Sequence, residues 1–298
     1  MKPAQCFLVL FARAPSLHAL DSHLRALGKL RRHDGAPGAH WAEGGPSLVL
    51  DLHGSEIRVD GVKRPWPRIP NDFAHDEGLA EKFAEGCFGP FTHPESYWRA
   101  LDHPWTWKES HEIAPRHQAF VRLRLYRSGE PAPVSELMAL TRAAVAVMGD
   151  YGALCFFAPG GEALRAIDTV QRELKQIGPT PAPVDLWTNT RLASYGGTAQ
   201  IMDTVGMSQL DLPDLQAQYS TNRIGYRQVD AFLRNLCLYL IDKGDVLRDG
   251  DRLPGPDGAD WEVQAIAQSL LEPWRPVLQL VSAGGPQRPA TLEHRREQ

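Results

Sequence analysis

Short apolar runs of strand length recur along the whole chain, and segments with helical spacing separate them at irregular intervals. Three clear runs are CFLVLFA (6–12), SLVLDLHG (47–54) and PVLQLVS (276–282). Asp-Gly pairs such as Asp60-Gly61 and Asp249-Gly250 are typical of tight turns between antiparallel neighbours. This mixture favours an α+β fold over a doubly wound parallel sheet. We therefore predict mixed, largely antiparallel sheets with helices packed on one face, and the recurring strand–helix units allow two lobes of similar plan.

The segment 203–219, DTVGMSQLDLPDLQAQY, carries three aspartates and no basic residue. Leu210 and Leu212 alternate as strand residues do, which places Asp211 on the opposite face of a regular strand. Asp203 and Asp214 are predicted at turns or strand ends. These acids are compatible with a basic partner but do not require one.

The domain organisation is predicted from a change of character near residue 116. Residues 73–116 are dense in histidine and tryptophan, and AFVRLRLY (119–126) then alternates as a half-buried strand would. We predict an N-terminal α+β lobe at 1–115, a C-terminal α+β domain at 116–282 and a loose tail at 283–298. Within the second domain, GPTPAP (178–183) is the best candidate for a linker.

Charge is distributed unevenly over the 298 residues. The formal net charge of −4 argues against a protein that coats nucleic acid, and the chain has no apolar stretch near the roughly 20 residues that span a membrane. Residues 1–33 hold six basic residues against one acid, whereas residues 203–262 hold eleven acids against six bases. The acidic C-terminal third could steer the chain toward a basic protein, or its acids could simply face solvent.

The cysteines and the N-terminus bear on the compartment. Cys6, Cys87, Cys155 and Cys237 are far apart and form no CxxC pair, which indicates buried free thiols in a reducing compartment such as the cytoplasm. The run at 6–12 follows Lys2 and ends near Ala12-Arg13-Ala14, so a signal peptide is an alternative. A buried strand followed by a helix capped at Ser16 explains the run better.

Metal and catalytic motifs are incomplete. His111-Glu112 and His117 resemble a zinc helix, but the histidines are six residues apart and Pro115 interrupts a helix. Asp51 and His53 would share one strand face, yet no third ligand is evident, so a strand-end polar pair is the preferred interpretation. Glycine pairs and Asp-Gly loops match turns better than a phosphate cradle or a calcium loop. We predict no cofactor, no metal and no catalytic residue.

Tryptophans cluster in the segment FTHPESYWRALDHPWTWKESHE (91–112), where prolines constrain the backbone. Trp98, Trp105 and Trp107 lie near His93 and His103 in sequence. Exposed tryptophans on a constrained segment would be strong anchors for a partner. The alternative is that they cover the edge of a core.

At TVGM (204–207) followed by LDLPDLQ (210–216), the sequence resembles a widespread bacterial domain of unknown function that is found in toxin–immunity loci. Further elements of the resemblance are Asn235 and Tyr239 in a helix, followed by Gly244, Asp245 and Gly250 in a hairpin. The similarity extends over roughly residues 116–281. It implies an immunity protein of a type VI secretion locus, which would bind a cognate nuclease-type effector in the cytoplasm and neutralise it by occlusion. The family implies no catalytic residues.

A nuclease needs a basic groove to bind phosphates, so an acidic inhibitor is suited to occupy it. The predicted partner contacts are Asp211, Asp214, Asp249 and Asp251, with Trp105 and Trp107 as anchors. One alternative is a metal-dependent hydrolase or small-ligand-binding protein that uses Asp51, His53 and a third ligand. Another is an accessory component of a secretion apparatus.

Overall fold

The computed structural model describes residues 2–34, 45–52, 54–68, 72, 74, 77–103, 107–149, 151–176, 182–194 and 196–282. Within these ranges it has eight α-helices and 13 strands in two largely antiparallel sheets, which confirms the predicted α+β class. The chain forms two compact units. The first contains Met1–Asn189 and Val205–Leu212, and the second contains Thr190–Thr204 and Pro213–Gln298.

The first unit is built on a seven-stranded sheet. Its strands are β1 (Gln5–Phe11), β2 (Lys29–His33), β3 (Ser47–Leu52), β4 (Ser55–Val62), β5 (Ala119–Arg127), β6 (Ala153–Ala158) and β7 (Ala163–Arg165). They lie in the order β2-β3-β4-β5-β1-β6-β7, and each neighbouring pair is antiparallel. Its helices are α1 (Leu17–Arg25), α2 (Glu77–Ala84), α3 (Ser96–Asp102), α4 (Ser110–Ile113), α5 (Pro133–Met148), α6 (Ile167–Gln176) and α7 (Val184–Trp187).

Strand β1 lies inside this sheet, and every one of its residues is buried. One set of its alternating side chains, which includes Leu8 and Leu10, joins an aromatic core with Trp66, Phe88 and Tyr97. Helix α5 packs against β1 and β5. The strand interpretation of the N-terminal apolar run is therefore confirmed, and Ser16 caps α1 by accepting the Ala19 N–H.

The second unit is built on a six-stranded sheet and one long helix. Its strands are β8 (Asn189–Ser194), β9 (Ala199–Val205), β10 (Asp214–Ser220), β11 (Arg252–Pro254), β12 (Asp260–Ile266) and β13 (Val277–Ser282), and its helix is α8 (Tyr226–Lys243). The strand order is β11-β12-β13-β10-β9-β8, and β10 runs parallel to β13. Helix α8 buries Val229, Leu233, Cys237 and Leu240, and its Phe232 ring meets Trp261 edge to face at 5.5 Å between centroids. The predicted helix and its end at Gly244 are confirmed.

The chain departs from the predicted hairpin at Asp60-Gly61. Strand β4 runs straight through both residues, and the reversal lies instead between β3 and β4. Asp60 stays in the strand because its carboxylate accepts hydrogen bonds from Arg122 at 2.7 Å and Arg124 at 3.0 Å. These partners also explain why β5 is buried over almost its whole length instead of half-buried.

The predicted boundary between residues 115 and 116 also needs correction. Strand β5 pairs with β1 and β4, so that boundary would divide one continuous sheet. The contacts separate the two units at Asn189 and Thr190 instead. Most of the GPTPAP linker and the tail at 283–298 lie outside the described residues. Across the described parts of the chain, no helix is both long enough and apolar enough to cross a membrane.

Candidate functional site

The sheet of the second unit has one face that is apolar and one that is polar. Trp261 points toward α8, as its contact with Phe232 shows, so Glu262 and Gln264 point to the opposite face. Residues directly opposite in neighbouring strands share a face. A polar row therefore crosses four strands through Asp203, Gln216, Gln279 and Gln264.

This polar row is mostly removed from solvent. Asp203 and Gln216 are 0% exposed and Gln279 is 3% exposed. Gln216 donates from Nε2 to the Gln279 Oε1 at 3.1 Å and accepts the Leu270 N–H at 2.8 Å. Buried amides cost free energy unless they are hydrogen-bonded, so these bonds fix the side chains in one arrangement.

A second row on the same face runs through Ile201, Gln218, Val281 and Glu262. The side chain of Gln218 is fully buried, and neither its Oε1 nor its Nε2 has a hydrogen-bond partner within the described residues. At the end of this row an open cleft of about 270 Å³ is lined by Arg252, Asp260, Glu262, Gln264, Val281 and Ser282. Two exposed carboxylates and one exposed guanidinium give the cleft a negative balance.

Four charged side chains form a network at the Asp203 end of the polar row; three of them are buried and Arg275 is partly buried. Arg191 donates from Nε and Nη2 to the Asp203 carboxylate at 3.0 and 2.6 Å. Arg275 donates to Asp203 at 3.0 Å and to Asp214 at 2.8 Å. Thr204 completes the set by donating to Asp214 at 3.2 Å. We call Arg191, Asp203, Asp214 and Arg275 the buried ion network.

Burial opposes the charged form of Arg275, but the carboxylates of Asp214 and Asp203 outweigh it and raise the pKa of the guanidinium. Arg191 is 1% exposed and both aspartates are at most 3% exposed. Such a network holds its geometry strictly, because any charge that lost its partner would be buried alone.

The buried ion network is bonded to the loop 267–276 that joins β12 to β13. Arg191 donates from Nη1 to the Glu272 carbonyl, and Arg275 donates to the Pro273 carbonyl at 2.8 Å. Ser269 adds a bond from its N–H to the Arg275 carbonyl at 2.8 Å and one from its hydroxyl to the Leu271 carbonyl at 2.7 Å. The peptide bond between Glu272 and Pro273 is cis. The hydrogen bonds from Arg191, Arg275 and Ser269 fix the backbone of this loop.

The aspartates singled out in the sequence occupy different environments. Asp214 begins β10 but is 3% exposed and bonded to Arg275, so its carboxylate does not lie on the surface as a partner contact would. Asp203 lies inside β9 and not at a turn or strand end. Asp211 is exposed but is not a strand residue: it ends a 3-10 helix at Met207–Leu210 with a left-handed φ of 58°.

Asp249 lies in a turn, as predicted, and Asp251 stands directly before the edge strand β11. The Asp249 carboxylate accepts the Ala265 N–H at 2.8 Å, and the Asp251 carboxylate accepts the Arg248 N–H at 2.7 Å. Asp249 is exposed and Asp251 is partly buried. Together with Asp245, Asp260 and Glu262 they form a surface that we call the acidic edge.

The tryptophan-rich segment belongs largely to the core. Trp107 is 7% exposed and is part of the aromatic core of the first unit, so the core interpretation holds and the anchor interpretation is wrong for this residue. Trp105 lies outside the described residues, as does His53.

The remaining metal candidates have structural partners. Asp51 is ion-paired with Arg31 at 3.1 Å. His117 is buried and accepts the Trp66 N–H at Nε2 at 2.8 Å, while its Nδ1 lies 2.6 Å from the Ala114 carbonyl oxygen and donates to it. Burial lowers the pKa of His117, which keeps the ring neutral. Among the described residues there is no group of three or more His, Cys, Asp or Glu side chains arranged to hold a metal ion.

The cysteines are all buried free thiols, as predicted. Burial raises the pKa of Cys6 and of Cys237 to about 12, which disfavours their nucleophilic thiolate form. The polar row and the buried ion network were not predicted. Their sequence signal is limited to the alternating Gln216 and Gln218 in β10 and the single Gln279 in β13, and the pairing of those strands is not visible in one sequence.

No curated protein and no solved structure matches the chain. One family model does, and its match covers a little over a quarter of the chain. The match includes β10 to β12, all of β13 but its last residue, and three of the four members of the buried ion network. Residues 203–281 are similar to the family described as Domain of unknown function (DUF4261), and that description states no activity.

Proposed function

We propose that the protein binds a basic protein partner in equal amounts through the acidic edge and neutralises it, as an immunity protein neutralises its cognate toxin. The observation that carries the proposal is the concentration of carboxylates in the segment 245–251 before β11 and on β12, four of them exposed. The acidic edge holds five carboxylates against two exposed arginines, Arg248 and Arg252.

The hairpin geometry holds these carboxylates in place. Arg252 lies opposite Glu262, and Pro254 lies opposite Asp260, so β11 and β12 present their outward residues side by side. The bond from the Ala265 N–H to Asp249 fixes the turn against the end of β12. An ordered negative surface accelerates encounter with a positive one and selects against acidic partners.

The cleft gives the acidic edge a place where a side chain of the partner can bind. Its two carboxylates, Asp260 and Glu262, can bind a lysine or arginine side chain of a partner, while Gln264 offers a neutral hydrogen-bonding group. The partner class that the sequence resemblance implies is a nuclease-type effector of a type VI secretion system, whose phosphate-binding groove is basic. We place this complex in the cytoplasm and assign no catalytic residue to the protein.

The test begins with affinity capture of the tagged protein from a lysate of its source organism, with the partners identified by mass spectrometry. We expect one basic protein in near-equal amount. Expressing that protein alone should arrest growth, and co-expression of this chain should restore growth. If growth is not arrested, or is arrested and not restored, the neutralisation proposal fails.

A charge variant then tests the acidic edge itself. The triple change Asp249→Asn, Asp260→Asn and Glu262→Gln preserves side-chain shape, and we expect it to slow association with the captured protein by roughly tenfold at low salt. The matched control is Glu112→Gln, Glu130→Gln and Asp168→Asn, which removes the same charge from exposed positions of the first unit. Equal association rates for both triple variants would show that net charge, and not the acidic edge, governs binding.

A further inference from the structure

The loop 267–276 displays a tryptophan to solvent. Trp274 is 60% exposed, the highest exposed fraction of any large hydrophobic side chain in the described ranges. Glu272 and Pro276, two residues to either side, are exposed as well. A single exposed apolar residue needs no explanation by itself, so the way in which the chain holds this one is what matters.

The backbone on both sides of Trp274 is fixed by hydrogen bonds. Before it, the Glu272 and Pro273 carbonyls accept from Arg191 and Arg275. After it, the Arg275 carbonyl accepts the Ser269 N–H, and the Arg275 N–H donates to the Ser269 hydroxyl at 3.3 Å. An aromatic side chain on an ordered loop loses little conformational entropy when a partner covers it.

The buried ion network explains how this order is maintained. Buried ion pairs add little net stability compared with apolar residues of the same volume, because removing the charges from water offsets their attraction. They do fix the geometry of the hydrogen bonds, because each planar guanidinium presents its N–H donors in a rigid arrangement. Arg191 and Arg275 each donate one N–H group to the carboxylate of Asp203 or Asp214 and another N–H group to a carbonyl of the loop.

We infer that Trp274 is the anchor residue of a partner-binding surface and that the buried ion network positions it. This inference rests on the proposed function, because the partner is the same basic protein. The chemistry that fits the surface is an arginine side chain that stacks on the Trp274 ring by a cation–π contact while the Glu272 carboxylate pairs with its guanidinium. Trp274 and Glu272 are binding residues, whereas Arg191, Asp203, Asp214 and Arg275 are positioning residues.

Site-specific cross-linking in the source organism tests the anchor directly, because the adduct itself identifies the partner. The photoreactive change Trp274→p-benzoylphenylalanine should give one cross-linked protein that is basic. The control is the same change at Phe91, which is 58% exposed in the first unit and should give no adduct with that protein. No adduct from position 274, or the same adduct from both positions, overturns the inference.

Binding measurements with the cross-linked protein as probe test the individual roles. We expect Trp274→Ala to raise the Kd by at least roughly 30-fold, the loss typical of a hot-spot aromatic, and Trp274→Phe to restore most of the affinity. Arg275→Lys keeps the charge but loses the rigid arrangement of N–H donors, so it should weaken binding and speed hydrogen exchange at 269–276 while α8 stays protected. Unchanged affinity for Arg275→Lys would overturn the positioning role.

The outcomes separate this inference from the proposed function. If the cross-linked protein binds through Trp274 but does not arrest growth when expressed alone, the surface stands and the neutralisation proposal fails. If the captured protein is toxic and is neutralised, but Trp274→Ala binds it with unchanged Kd, the neutralisation proposal stands and the anchor is wrong.

Discussion

Replacing Asp203 by asparagine should destabilise the second unit strongly, because two guanidiniums share its carboxylate. The substitution preserves shape, so it removes charge without creating a cavity. Arg191 and Arg275 approach Asp203 at 2.6 and 3.0 Å, and each contact is worth about 6 kcal/mol at an effective dielectric constant of about 20. The cost of removing the carboxylate from water offsets several kcal/mol of this attraction.

The net loss is governed by what remains after the substitution. Arg275 keeps Asp214, but Arg191, which is 1% exposed, loses the carboxylate that accepts two of its hydrogen bonds. Removing one member of a buried pair costs about 3–5 kcal/mol for this reason. We expect Asp203→Asn to lower the free energy of unfolding by that amount, as measured by urea denaturation followed by circular dichroism.

The control is Asp245→Asn. Asp245 pairs with Arg248 at 3.4 Å, and both side chains are more than half exposed, so its removal should change the free energy of unfolding by less than about 1 kcal/mol. If Asp203→Asn costs no more than Asp245→Asn, the charge of Asp203 is not needed to compensate the guanidiniums of Arg191 and Arg275.

Two further predictions concern the first unit. Burial lowers the pKa of His117 below its ordinary 6.5, so the unfolded chain binds the proton more tightly, and stability present above pH 6.5 should be lost as the pH falls below it. His117→Gln should reduce the pH dependence of the free energy of unfolding, whereas His111→Gln, at an exposed position, should leave it unchanged. Equal pH dependence in the two variants would contradict the role given to His117. Gly161→Ala should lower the free energy of unfolding by at least about 3 kcal/mol, because its Cβ would lie 1.8 Å from the Trp187 carbonyl oxygen. Gly61→Ala, with nothing within 4 Å, is the control, and similar urea midpoints for the two would refute the packing argument.

Sequence patterns correctly predicted the secondary-structure elements that are determined by residues close together in the chain. The apolar spacing of α8, its end at Gly244 and the cap at Ser16 each depend on residues within a few turns, and all three are present. The same holds for the strands at 47–52 and 277–282. The α+β class follows from these elements alone.

The features that were not predicted depend on contacts with residues that are distant in sequence. Asp60-Gly61 has the composition of a turn, but Arg122 and Arg124 hold Asp60 in a strand from more than 60 residues away. Asp203 has the composition of a surface acid, but Arg191 and Arg275 make it a core residue. The polar row depends on the register of four strands, which no local spacing encodes. Trp274 was missed because its isolation in sequence gives no sign of how far the loop exposes it.

The division of the chain into two units has a consequence for any attempt to isolate the family region. The second unit is discontinuous: Thr190–Thr204 and Pro213–Gln298 are separated by a segment that belongs to the first unit. A fragment cut at residues 203–281 would lack β8 and most of β9, and with them Arg191. Its Asp203 would become a chain terminus beside a solvent-exposed strand edge. The region that matches the family and the compact unit of the structure therefore have different boundaries in this protein, and fragments should follow the boundaries of the compact unit.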